Sequence, residues 1–143
     1  MLQIKHHLRI ILFLASVMVL ASACSIIKSG GDIQDIQWHW TNAFFERPMY
    51  KSLTPDPQRF TIQFLSDDRL ALQVDCNSAG GSYILSGSKL KIALGFITEA
   101  YCGDDSLDKD YLDLLVHVTR YELENSILVL YLEEGLGQMT FSK

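Results

Sequence analysis

Residues 59–76 read RFTIQFLSDDRLALQVDC. Phe60, Ile62 and Phe64 alternate with Thr61 and Gln63, and Leu70, Leu72, Val74 and Cys76 alternate with Ala71, Gln73 and Asp75. A period of two marks a strand with one buried face. Asp67-Asp68 between the runs reads as a turn, so the stretch is a β-hairpin. This phase places Cys76 inward and leaves Asp75 as an exposed acid at the strand end.

The same rhythm extends towards the C-terminus. Asn77 to Gly81 read as a tight connection, because asparagine and glycine tolerate left-handed backbone. Tyr83 opens the next strand, SYILSG, which turns near Ser86-Gly87-Ser88 into KLKIALG with Leu90, Ile92 and Leu94 inward. YELE and ILVLYLE flank the hairpin signal Asn125-Ser126. QMTFS gives a last strand with Met139 and Phe141 inward. One segment has a different period. In SLDKDYLDLLVHVTR, Leu107, Tyr111, Leu114, Leu115 and Val118 recur at helical spacing. A helix is expected over about residues 106–119, capped by Asp105 or Ser106, with Asp108 and Asp110 favoured by the helix dipole. The fold class is mainly β with one inserted helix.

Composition agrees with a folded domain. The chain has 143 residues, 48% hydrophobic and 20% charged, which fits one domain. A net charge of -5 argues against a nucleic-acid partner, which calls for a basic field. The N-terminus is distinct. Lys5, His6, His7 and Arg9 precede the apolar run IILFLASVMVLA over residues 10–21, followed by Ser22 and Ala23. That is the layout of a secretory signal peptide, too short for an ordinary membrane span. LASAC resembles a bacterial lipobox, with Cys24 as the lipidated residue and Ser25 favouring the outer membrane. Ala-Ser-Ala also suits ordinary signal cleavage, which would leave a free thiol at Cys24. The expected organisation is a signal peptide over residues 1–23, a lipid-anchored tether over 24–36 and a folded body over 37–143.

Cysteine parity follows from this. With Cys24 lipidated, Cys76 and Cys102 remain as a pair in an oxidising compartment. Their separation is 102 − 76 = 26, and closing that loop contributes roughly 3.5 kcal/mol in the chain-entropy model.

These blocks together resemble the META domain family, also called HslJ-like, over about residues 38–141. The resemblance is carried by DCNSAGGSY, by GSKLKI, by Thr98-Glu99-Ala100-Tyr101-Cys102, and by the helix and final strands, with Trp38 and Trp40 as the tryptophan-bearing first strand. Asn77, Gly81, Tyr83 and Thr98 match the family motif as structural residues. Asp75 stands where many members carry glycine, and residues 43–57 match poorly. The resemblance implies a conical, partly open antiparallel β-barrel with the helix packed across it. It also implies a non-catalytic envelope lipoprotein linked to stress responses. The expected protein is monomeric, without cofactor or metal, anchored through Cys24, facing the periplasm and open to an envelope protein partner. The alternative is a pilotin-like chaperone or carrier, holding an acyl chain or amphipathic segment in the barrel mouth.

Reactive readings are weaker. Cys76 and Cys102 lack the Cys-x-x-Cys spacing of a redox pair. A thiol nucleophile assembled with His39 or His117 would have to stay reduced. Asp104, Asp105, Asp108 and Asp110 lack the central glycine of a calcium loop and read as a solvated helix start. Phe60, Phe64, Tyr83, Phe96, Tyr111, Leu115, Met139 and Phe141 are expected to face the interior, as a filled core or a cavity lining.

Overall fold

The computed structural model describes residues 33–46 and 51–143. Cys24, the signal peptide and most of the tether lie outside the described residues. The elements run β1 (Gln37–Phe45), β2 (Lys51–Leu53), β3 (Phe60–Phe64), β4 (Arg69–Val74), β5 (Asn77–Ser86), β6 (Lys89–Ile97), α1 (Asp108–Val116), β7 (Val118–Glu124), β8 (Ile127–Leu132) and β9 (Gly137–Ser142). All paired strands are antiparallel neighbours in the order β2-β1-β3-β4-β5-β6-β7-β8-β9.

The expected partly open barrel closes. β1 pairs with β9 from His39 to Phe45, joining the two ends of the sheet. β1 manages this by a register shift between Trp40 and Asn42. Its first half pairs with β3, and its second half pairs with β2 on that edge. Eight strands form the wall and β2 is an appendage drawn from the poorly matching segment. One seam is thin. β6 and β7 share a single ladder pair, Lys89 with Arg120, supported by Tyr121 N–H donating to Ser88 O at 2.9 Å. Beyond it, β6 has a ladder partner only in β5 among the described residues, and α1 runs back along that side.

The interior is filled rather than hollow. Trp38, Trp40, Phe64, Tyr111, Leu115, Met139 and Phe141 are fully buried. Tyr111 reaches down from α1 and stacks on Trp40 at 5.0 Å, edge-on to Phe60 at 5.4 Å. Such pairs add about 1 kcal/mol beyond the area they bury. The packed body also starts before residue 37. Ile33 is fully buried, its carbonyl accepts Trp38 Nε1–H at 3.0 Å, and Gln34 bridges to Phe64.

Three expected placements are corrected. Phe96 faces out, not in, because the chain slips register between Gly80 and Gly81 opposite it. Its ring lies where a Cβ on Gly80 would stand, 2.5 Å away, so the aromatic covers the bare glycine. α1 ends at Val116, and Val118 joins β7, still buried. The N-cap is Leu107, without a side-chain cap; Ser106 Oγ accepts only a long bond from Asp108 N–H, at 3.3 Å.

Candidate binding site

The hairpin of residues 59–76 forms as expected, but its far end is built differently. Val74 pairs with Asn77, so Asp75 and Cys76 alone make the turn, and β5 begins at Asn77 rather than near Tyr83. Asp75 takes a left-handed φ of 59°, which rotates the strand phase. The two residues thereby exchange the places read from alternation. Cys76 is exposed, and Asp75 is buried. Its carboxylate pairs with the Arg59 guanidinium and accepts Ser106 Oγ–H at 2.6 Å, while its backbone N–H donates to Arg59 O at 2.7 Å. Asp75 therefore ties the start of β3 and the lead-in to α1 to one turn.

Next to it is a second tie. Cys76 and Cys102 are joined by a disulfide. Asn77, buried at the root of β5, grips the same loop with both ends of its amide. Oδ1 accepts Thr98 Oγ1–H at 2.9 Å and Ala100 N–H at 2.8 Å, and Nδ2 donates to Ala100 O at 2.9 Å. An amide can satisfy one residue's N–H and C=O together, as a strand neighbour does. Thr98 Oγ1 in turn accepts Ser78 N–H at 3.0 Å. Asn77, Thr98, Cys76 and Cys102 are thus brought together.

The other two motif residues serve β5 further along. A Cβ on Gly81 would stand 2.2 Å from Ala93 O, so the backbones meet where no side chain fits. Tyr83 donates to Leu65 O at 2.7 Å and accepts Gln34 Nε2–H at 2.6 Å. Its burial pushes the hydroxyl above the ordinary tyrosine value.

The latched loop walls a cleft of about 580 Å³ against α1. Ile97, Thr98, Ala100, Tyr101 and Leu112 line it, and a shallower groove between Leu94 of β6 and Val116 of α1 adjoins it at Lys109 and Leu112. Tyr101 is largely exposed and donates to Asp104 Oδ1 at 2.5 Å, a bond that raises its pKa. Cysteine parity pointed to the disulfide, but neither parity nor alternation pointed to this cleft. A signal for it was present: Leu112 and Val116 are four apart and lie off the Tyr111, Leu114 and Leu115 stripe, giving α1 a second apolar face.

The histidines are elsewhere. His39 Nδ1 lies 2.8 Å from Pro57 O, and His117, the C-cap of α1, lies beside Asp113 and Glu133. Neither joins the cysteine pair. Among the described residues no three His, Cys, Asp or Glu side chains are grouped to hold a metal, and no helix is long and apolar enough to cross a membrane.

The model of the META domain matches residues 32–143. The chain belongs to the META domain family. The META domain therefore begins beside buried Ile33. Two solved structures share the fold. A DUF4847 family protein from Bacteroides vulgatus has a TM-score of 0.60 at 13% identity, covering 77% of this chain and 93% of its own. A protein from Burkholderia xenovorans has a TM-score of 0.62 at 20% identity, covering 78% and 83%. No curated protein matches the chain.

Proposed function

We propose that this META domain is a non-catalytic binding module, carried on a lipid at Cys24 and facing the periplasm from the outer membrane. The observation that carries the binding reading is the cleft between β6 and α1. It is apolar along Ile97, Leu112 and Val116, and its outer wall is fixed by the Cys76–Cys102 bond and the Asn77 latch. A rigid wall lowers the ordering cost of binding. The chain enters the barrel beside Phe64, Leu65 and Tyr83, at the end of β5 opposite Asn77. An anchor on that side would leave the cleft facing away from the membrane.

The anchor is tested by intact mass of protein from native membranes, before and after reduction and alkylation. A species beginning at acylated Cys24, gaining two alkyl groups only after reduction, is expected. An unacylated species, alkylated without reduction, would sink the lipoprotein reading. The cleft is tested by methyl-resolved NMR against solubilised envelope extract. Shifts concentrated on Ile97, Leu112 and Val116 are expected, and shifts confined to other methyls would remove the cleft from the binding role.

The carrier reading keeps one supporting observation, the apolar lining of the cleft. In that form an acyl chain or amphipathic segment lies beside the barrel, since aromatic side chains fill the interior.

A further inference from the structure

Three features meet at this cleft. The first is a strand edge that faces α1 and, among the described residues, carries no strand. β6 pairs with β5 along its length, but with β7 only at Lys89. From residue 91 onwards its other edge has no strand partner among the described residues. An unpaired edge is a template for an added strand.

The second is an apolar floor at side-chain spacing beside that edge. Ile97 and Val116 are 39% and 43% exposed, and Leu94 and Leu112 are half-buried. All four border the cleft, so these apolar groups are not scattered singly.

The third is charge. Glu99, Asp104, Asp108, Asp110 and Asp113 line the cleft, and among the described residues Lys109 is the single cation lining it. Five carboxylates against one ammonium leave a local charge of -4. Such a rim repels an anionic ligand and favours a cationic one. A fatty acid would bring its own carboxylate into this field.

Resting on the cleft as the binding site, we propose that its ligand is an extended peptide segment of a protein partner, with alternating apolar and Lys or Arg side chains. The segment pairs by backbone with the free edge of β6. Its apolar side chains rest on Ile97, Leu112 and Val116, and its cationic side chains face the carboxylate rim. Strand pairing supplies register, and the rim supplies selection of charge.

The test uses the oxidised mature chain and three probes: an alternating Lys-Val octapeptide, its Glu-Val counterpart, and dodecanoate. The Lys-Val peptide is expected to shift the Ile97, Leu112 and Val116 methyls and to slow amide exchange at residues 95–97. The Glu-Val peptide should bind roughly tenfold more weakly or worse, with the difference shrinking as salt rises. Glu99→Lys with Asp104→Lys, both at exposed positions, cancels the excess negative charge of the rim, so the two peptides should then bind about equally, and binding that persists without preference is a result that loss of folding cannot produce. Binding of the Lys-Val peptide without protection at residues 95–97 would overturn strand pairing. Dodecanoate shifting these methyls while neither peptide does would overturn the peptide ligand and leave the cleft reading intact. No shift with any probe would remove both.

Discussion

Asn77 shows how one side chain can stand in for a strand. Its amide makes three hydrogen bonds to Thr98 and Ala100 while 2% exposed, where water offers no substitute. Asn77→Ala should cost about 2 kcal/mol, because Ala100 N–H and C=O lose their amide partner and Thr98 Oγ1 loses one of its bonds. Denaturant unfolding gives the loss, and Ala100 amide exchange should speed up more than exchange at the β3–β4 hairpin. Tyr111 is the opposite case. Its hydroxyl is fully buried with no partner among the described residues. Tyr111→Phe keeps the ring stacked on Trp40 and removes the orphan group, so stability should rise by about 1 kcal/mol. A melt that falls instead would show that the hydroxyl is satisfied. Neither role is legible in the sequence. Tyr111 is one of several aromatics at helical spacing, and the partners of Asn77 lie more than twenty residues away.

Elements meet where backbone must approach backbone. β5 and β6 come together at a register shift beside Gly81, whose missing side chain leaves space for Ala93 O. Gly81→Ala should lower stability by roughly 2 kcal/mol, because the β5–β6 pair must spread. The effect would be seen as a drop in the urea midpoint with little change in slope. The strands themselves were readable from alternation at β3, β4, β6, β8 and β9, and both residues of the Asn125-Ser126 hairpin turn take the left-handed backbone that asparagine favours. What alternation misread was phase at two irregular points. A left-handed residue at Asp75 and a bulge at Gly95, opposite Gly80 and Gly81, each change which side chain faces in. The end of α1 was missed for a related reason. Val118 is buried whether it continues the helix or starts β7, so hydrophobic spacing does not separate the two.

At the scale of the molecule, two clamps hold the α1 end of the barrel: the disulfide and the Asp75 cluster. Reduction should lower stability by roughly 3.5 kcal/mol through release of the loop, leaving a folded barrel that melts earlier. Alkali should act on the interior. Burial holds Tyr111 well above the ordinary value of 10.0 and raises Tyr83 as well. A raised folded pKa means the unfolded chain loses its proton first. The contribution is therefore complete below pH 10 and declines as pH rises from there towards the folded values. Stability measured from pH 9 to 12 should fall, and fall less steeply in Tyr111→Phe. The amino-acid sequence by itself determined the period-two strands, the inserted helix, the pairing of Cys76 with Cys102 and the family. Each depends on local pattern, parity or a set of ordered motifs. Only the tertiary structure decided that the barrel closes through β1 and β9, that Asp75 is buried and Cys76 exposed, and that an acidic apolar cleft follows the free edge of β6. Those outcomes depend on which distant segments share a wall, and a bend or bulge of one residue is enough to change them.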